Sequence, residues 1–236
     1  MTAVTPAIAI GFDFDHTLGV DNALEREALF AYAAELGRAV DPSDAAWRER
    51  FEALLRAFRA GETTMDAMIA ALARTLDVAP ARAEAERWRQ ICYGLVPSHV
   101  QAIDGARAAL AALRERGVPA AILTNGWTPL QQKKIAAALG DDGLALTVLV
   151  SDAIGAIKPS RAAFDALVDA LAMPRDRIWY VGDNVHADVA GALAAGLRAV
   201  WFDWEGQSYP HNTQPPTLRI ASLRELDALA ENAIAP

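Results

Sequence analysis

Residues 8–18 read IAIGFDFDHTL, a short apolar run that ends in two acids, Asp13 and Asp15. A run of this length, apolar and closed by polar residues, is typical of a buried strand. In an open parallel sheet, ligands bind beyond the carboxyl ends of the strands. The stretch therefore predicts a buried strand with a polar ligand site directly at its end.

The next region has a different pattern, because residues 22–93 carry helical periodicity and no convincing strand. Apolar side chains recur there three or four residues apart, which is typical of amphipathic helices. One such stripe consists of Met65, Met68, Ile69, Leu72 and Leu76. The last and most polar helix of the region is predicted over residues 81–91, and we expect the whole region to be helical.

Beyond Pro97 the pattern alternates between strands and helices. Strands are predicted over residues 118–123, 146–150, 178–181 and 199–202, and a final helix is predicted from Leu223. Such alternation favours a parallel sheet covered on both faces. We therefore predict an α/β fold: a Rossmann-like parallel sheet core, residues 1–18 and 98–236, with an inserted all-helical domain, residues 19–97.

Composition narrows the function classes. The chain has 22 basic and 30 acidic residues, a net charge of −8, which disfavours binding to nucleic acid or to an anionic membrane. Its single cysteine excludes an internal disulfide. Residues 1–10 lack the positive region of a signal peptide, and no long apolar run predicts a membrane span. We expect a cytoplasmic protein, either a monomer or a homodimer.

Polar residues follow each predicted strand of the core. Thr124, Asn125 and Gly126 follow the second strand, Lys158 comes after the third, and Asp183 and Asp188 follow the fourth. Carboxylates crowded at one edge repel each other unless a cation neutralises them. Oxygen ligands suit a hard ion, so we expect Mg²⁺, and no histidine pair at metal-binding spacing favours zinc.

The same residues can bind and cleave a phosphate ester. Lys158 supplies a positive charge, and the Thr124 hydroxyl and the backbone amides around Asn125 supply hydrogen-bond donors. A carboxylate nucleophile divides ester hydrolysis into two easier steps. Asp13 lies at the end of a strand, where a rigid element can aim it at phosphorus.

Four motifs in this order resemble those of the haloacid dehalogenase-like hydrolase superfamily. They are residues 13–18 (DFDHTL), 124–126 (TNG), 158–159 (KP) and 182–188 (GDNVHAD). The resemblance covers essentially all of the core. The helical insert matches only in its location, as the cap that this superfamily often carries between its first two motifs.

The resemblance implies a phosphatase with an aspartyl-phosphate intermediate and a small phosphorylated metabolite as substrate. Asp13 would attack phosphorus, and Asp15 would act as general acid and then as general base. Thr17, Thr124, Asn125, Gly126 and Lys158 would bind the substrate. Asp13, Asp15 through its carbonyl, and Asp183 would hold Mg²⁺, with Asp188 supporting the metal loop.

Several alternatives remain open from the sequence. A haloacid dehalogenase shares the fold and the nucleophile but needs neither Asp15 nor Mg²⁺. A phosphonatase is disfavoured because the insert contains no lysine, and a P-type-ATPase-like role because His16 stands where that group has lysine. A non-catalytic binding protein with the same fold is a further alternative. Asp188 could also be a first-turn acid favoured by a helix dipole.

Overall fold

The computed structural model of the chain describes residues 7–21 and 23–227. The chain divides into two compact units, one formed by Met1–Val20 with Gln101–Pro236 and the other by Asp21–Val100. The amino-terminal stretch used to argue against a signal peptide lies partly outside the described residues, as does any continuation of the final helix beyond residue 227.

The strands of the first unit are β1 (Ala9–Phe12), β2 (Gly19–Val20), β3 (Gln101–Ala102), β4 (Ala120–Thr124), β5 (Thr147–Val150), β6 (Ile178–Gly182), β7 (Arg198–Phe202) and β8 (Leu218–Ile220). Six of them form a parallel sheet with the strand order β5-β4-β1-β6-β7-β8. Strands β2 and β3 form a separate antiparallel pair. The predicted α/β fold with a parallel sheet is confirmed.

The helices follow the chain order α1 (Leu24–Glu35), α2 (Ala45–Arg59), α3 (Met65–Thr75), α4 (Ala85–His99), α5 (Ala106–Glu115), α6 (Leu130–Leu139), α7 (Asp141–Leu144), α8 (Ser151–Ile154), α9 (Arg161–Leu171) and α10 (Gly191–Ala194). Short 3₁₀ turns cover Pro80–Arg82, Arg175–Arg177 and Leu223–Glu225, and Val185–Ala190 forms a π-helical turn. No helix in the described part of the chain is long and apolar enough to cross a membrane.

Strand β1 lies in the middle of the sheet, which explains its unbroken apolar sequence. It pairs with β4 on one side and β6 on the other, and all four of its residues are buried. On one face of the sheet Phe164 and Leu167 of α9 are fully buried, and the Phe164 ring meets Tyr180 of β6 edge-on. The sheet thus holds the carboxyl end of β1 rigidly.

The described residues of the second unit, 21 and 23–100, form helices and loops only. Aromatic contacts hold α1 to α2, with the rings of Phe30 and Phe51 4.7 Å apart, and α2 to α4, with Phe58 edge-on to Trp88. Arg59 forms ion pairs with Glu25 and Glu52 at 2.8 and 2.9 Å. The stripe of residues 65–76 is buried, as its periodicity predicts.

The predicted bounds of the last helix in this unit, residues 81–91, are wrong. A 3₁₀ turn occupies Pro80–Arg82, and α4 then runs from Ala85 to His99 through Pro97. Proline removes one backbone donor, which is least disruptive near a helix end. The amide of Val100 still closes the final turn on the carbonyl of Val96 at 3.0 Å.

Candidate active site

Neighbouring strands bring the first, second and fourth motifs to one edge of the sheet. Asp13 follows β1 directly, and its amide donates to the carbonyl of Val181 in β6 at 2.8 Å. Thr124 ends β4, the other neighbour of β1, and Gly182 ends β6. Because the three strands are parallel, their carboxyl ends meet at this edge.

The third motif reaches the same place through Lys158. Its Nζ lies 2.6 Å from Oδ1 of Asp13 and 2.8 Å from Oδ1 of Asp188. It also lies 2.9 Å from the hydroxyl of Tyr180, which in turn donates to the carbonyl of Leu123. Only 2% of the lysine side chain is exposed. A buried cation therefore touches the predicted nucleophile.

Burial and neighbouring charges shift the protonation of this cluster. Burial raises the pKa of Asp13 well above its usual value, and Lys158 opposes the rise. The carboxylates of Asp188 and Asp183 raise the Asp13 pKa further. Burial lowers the pKa of Lys158, but Asp13 and Asp188 outweigh burial and bring that pKa well above its usual value. Positive charge added beside Asp13 would favour its ionised form.

Three carboxylates form a group suited to a divalent cation. Ligand oxygens of Asp13, Asp183 and Asp188 all lie within 4.8 Å of one another. Burial raises the pKa of Asp183 to about 6, and the Asp188 carboxylate adds to the rise. Crowded, desolvated carboxylates of this kind are stabilised in their charged form by a bound cation. An all-oxygen donor set fits Mg²⁺.

Asp188 is held more tightly than its neighbour Asp183. One of its oxygens accepts from Lys158, and the other accepts from the backbone amide of Asn184 at 3.0 Å. Its side chain packs so closely on Gly182 that a Cβ there would lie 2.4 Å from it. Asp188 sits in the π-helical turn, a feature frequent at functional sites.

Thr17 connects the first motif to the fourth. Its hydroxyl lies 3.4 Å from Oδ1 of Asp183 and accepts from the Asp183 amide at 3.2 Å. Thr17 is fully buried. On the far side, the indole of Trp201 donates to the Asp183 carbonyl at 2.9 Å. The loop that carries Asp183 is thus fixed from both sides.

Asn125 connects the second motif to the third. The side-chain nitrogen of Asn125 donates to the backbone carbonyl of Lys158 at 3.0 Å, and the side-chain oxygen accepts from the backbone amide of Lys158 at 2.8 Å. The next residue, Gly126, has a φ of 152° and exchanges hydrogen bonds with the Ser151 hydroxyl. A Cβ on Gly126 would lie 2.7 Å from Gln131. Both the backbone angle and the close approach require glycine.

The Asp15 side chain faces helix α6. Its Oδ1 forms an ion pair with Nζ of Lys134 at 2.5 Å, and its Oδ2 accepts a hydrogen bond from the side-chain amide of Gln131 at 2.8 Å. The same Gln131 amide donates to the Thr124 hydroxyl at 2.8 Å. These contacts join Asp15 of the first motif to Thr124 of the second.

The sequence interpretation missed three residues of this site: Gln131, Lys134 and Tyr180. The signal for the first two was present, since both lie on the same helix face as the apolar Leu130 and Ile135. Polar residues on a buried helix face need partners. Tyr180 lies inside an apolar strand, and nothing in its pattern marks it.

A family model matches residues 9–196, and its description reads haloacid dehalogenase-like hydrolase. A phosphoserine phosphatase of Thermus thermophilus is 40% identical over 124 residues, 51% of this chain and 48% of that protein. A (S)-2-haloacid dehalogenase of a Pseudomonas species is 30% identical over 129 residues, 55% of this chain and 56% of that protein. The chain spans about half the length of the curated relatives it matches.

Among solved structures, the HAD-hydrolase YfnB of Bacillus subtilis, crystallised with magnesium, has a TM-score of 0.73. It is 22% identical and covers 96% of this chain and 99% of its own, which shows a shared fold. The matched residues 9–196 include all four motifs of the site, residues 13–18, 124–126, 158–159 and 182–188. The chain therefore belongs to the haloacid dehalogenase-like hydrolase family.

Proposed function

We propose that the protein is a Mg²⁺-dependent phosphatase that hydrolyses a small phosphomonoester through an aspartyl-phosphate on Asp13. The observation that carries this function is the pair of acids after β1. Asp13 is one of three clustered carboxylates suited to a cation. Asp15 is held apart from that cluster by Lys134 and Gln131. A phosphatase needs a nucleophile and a separate acid, and this arrangement supplies both.

In the first step an oxygen of Asp13 attacks phosphorus, and the bond from phosphorus to the leaving alcohol breaks. The alcohol oxygen takes a proton from Asp15. In the second step water attacks the aspartyl-phosphate, Asp15 takes the proton of the water, and the bond from Asp13 to phosphorus breaks. One residue thus serves as acid and then as base, as two-step hydrolysis requires.

Lys158 would bind the transferring phosphoryl group. Its ammonium touches Asp13, so a phosphoryl group on that carboxylate would lie beside it. Asn125 fixes the backbone of Lys158, and the Thr124 hydroxyl supplies a hydrogen-bond donor at the end of the neighbouring strand. The backbone around Asn125 and Gly126 would provide further donors, while Thr17 would position Asp183.

Asp13 and Asp183, with the carbonyl of Asp15, would hold Mg²⁺. When bound, the ion would neutralise the crowded carboxylates and polarise a phosphoryl oxygen. Both oxygens of Asp188 already accept hydrogen bonds from Lys158 and Asn184. We therefore propose that Asp188 orients Lys158 and supports the loop that carries Asp183.

The helical unit, Asp21–Val100, would act as the cap and set substrate specificity. Its bounds lie two to three residues from those predicted, 19–97, because β2 and β3 pair with each other and extend the core. We propose the cytoplasm as the compartment and either a monomer or a homodimer as the assembly.

A haloacid dehalogenase is the second candidate, favoured by the relative that is 30% identical over 55% of this chain. In a dehalogenase the nucleophile attacks carbon, and the halide leaves without taking a proton. That reaction therefore gives no role to Asp15. A non-catalytic binding protein would leave the filled catalytic positions without a chemical role.

One assay separates these functions. Phosphate release from 4-nitrophenyl phosphate is measured with Mg²⁺ and after chelation, alongside halide release from 2-chloropropionate. A phosphatase gives steady phosphate release that chelation stops. Halide release without phosphate release would favour the dehalogenase instead. The absence of both activities would favour the binding protein.

A further inference from the structure

Two polar side chains are buried on the inner face of α6. Gln131 is 2% exposed and Lys134 is 3% exposed, and they share that face with Leu130, Ile135 and Leu139. Residues three apart on a helix lie on one side, so both side chains point the same way. An apolar residue would be the ordinary choice for such a position, which means that the two polar groups require an explanation.

Both side chains converge on Asp15, more than a hundred residues away in the chain. Nζ of Lys134 lies 2.5 Å from Oδ1 of Asp15 and 5.8 Å from the ring centre of Phe14. Nε2 of Gln131 lies 2.8 Å from Oδ2 of Asp15. Each oxygen of the carboxylate therefore has its own partner on α6, which fixes both the position and the rotation of the group.

Gln131 also connects this carboxylate to Thr124 and Asn125, which are proposed to bind the phosphoryl group. The same nitrogen lies 2.8 Å from the Thr124 hydroxyl and 3.1 Å from the Asn125 carbonyl. An amide nitrogen carries two hydrogens, so these acceptors share them. Asp15 and Thr124 are thus held in one hydrogen-bonded unit.

Fold stability is a poor explanation for the pair. A buried ion pair adds little net stability, because desolvation offsets much of the attraction. Precise placement of a proton-transferring group, in contrast, has a large effect on rate, since a displacement of about 1 Å can cost about a hundredfold.

We propose that Lys134 and Gln131 are positioning residues, which hold the Asp15 carboxyl where it meets the leaving oxygen. This role rests on the proposed phosphatase function. Neither side chain touches the phosphoryl group in the reaction; both act through Asp15.

The test compares an alkyl ester, glycerol 2-phosphate, with the activated 4-nitrophenyl phosphate. Alkoxides leave slowly without a proton, whereas nitrophenolate needs little help. Lys134→Met is expected to lower kcat for the alkyl ester about ten- to a hundredfold, because general acids contribute about a hundred- to ten-thousandfold. The nitrophenyl ester should lose at most about threefold, and KM should stay within about twofold for both esters.

Lys133→Met is the matched control, since Lys133 is exposed on the same helix and the substitution changes the charge equally. It should leave both rates unchanged. The double variant Asp15→Asn with Lys134→Met should be no slower than Asp15→Asn alone. Thermal unfolding checks the fold, and if Lys134→Met does not fold, Gln131→Met must lower the ratio of alkyl to nitrophenyl turnover.

Equal losses on both esters, a raised KM with unchanged kcat, or additive losses in the double variant would overturn the positioning role. A raised KM would instead make Lys134 a direct phosphate ligand. If the wild-type protein releases phosphate from neither ester, the proposed function fails and the positioning role fails with it. If it hydrolyses both normally and Lys134→Met matches the control, only the positioning role fails.

Discussion

The proposed binding of Mg²⁺ should depend on pH through Asp183, in a direction that its pKa shift defines. Burial and the Asp188 carboxylate raise its pKa from 3.8 to about 6 in the metal-free fold. Between these values the folded state binds more protons than the unfolded state, so this residue's contribution to stability falls as pH rises. Once the carboxyl is ionised, the destabilisation amounts to at most about 3 kcal/mol, from about 1.36 kcal/mol per pKa unit.

The perturbation is Asp183→Asn, which keeps the shape of the side chain and removes its titration. The free energy of unfolding of the variant minus that of the wild type, without metal, should be near zero at pH 4. It should then rise toward pH 7 as the wild-type carboxyl ionises. Denaturant unfolding across this range gives the difference directly, and Asp176→Asn, at an exposed carboxyl in the 3₁₀ turn before β6, is the control.

The affinity of the wild type for Mg²⁺ should rise with pH, because the ion must displace the proton from Asp183. Below pH 6 the affinity of the wild type should fall about tenfold per pH unit from Asp183 alone. Asp13, whose pKa is also raised, would steepen the fall. A variant-minus-wild-type difference that stays flat from pH 4 to 7, or Mg²⁺ affinity equal at pH 5 and 7.5, would contradict the raised pKa of Asp183 and its role in metal binding.

Three further predictions concern single residues. Asp13→Asn should abolish turnover while leaving the thermal transition in place, since an amide is a poor nucleophile; activity near wild type would mean that another residue attacks. Asp15→Asn should slow an alkyl phosphate about a hundredfold or more and an aryl phosphate less, in steady-state rates with both esters. Lys158→Met should lower stability by about 3–5 kcal/mol in denaturant unfolding at pH 7, because it leaves Asp13 and Asp188 without their buried cation; an unchanged midpoint would contradict that pairing.

The sheet could be predicted because its signals are local. β1 is buried on both sides between β4 and β6, so an unbroken apolar run was enough to identify it. The rule that parallel strands share one functional edge then predicted which loops meet. Asp13, Thr124 and Lys158 needed no knowledge of side-chain contacts to be selected.

The helix face that carries Lys134 and Gln131 could be recognised from the sequence, but their contact with Asp15 could not. Lys134 and Gln131 lie on a helix whose periodicity resembles that of any amphipathic helix, and only the three-dimensional structure shows that they face Asp15. The hydrogen bonds between Asn125 and Lys158 are equally non-local. Contacts across the sheet edge depend on how strands order themselves, which periodicity does not report.

Helix bounds were the other weakness, and α4 shows why. A helix was predicted over residues 81–91, whereas α4 runs from Ala85 to His99 and includes Pro97. The helix continues to His99 because, so near its end, the missing donor disturbs little of the hydrogen-bonding ladder. The polar sequence of this helix gives too weak a periodicity to mark where the helix begins and ends.

The most direct test of the account is the mass of the peptide that contains Asp13 after the protein reacts with a phosphate ester and Mg²⁺ and is quenched in acid. We predict a gain equal to one phosphoryl group on that peptide, located at Asp13 by fragmentation and absent from Asp13→Asn. Phosphate release by the wild type with the added mass on another residue, or with none on any peptide during turnover, would contradict it.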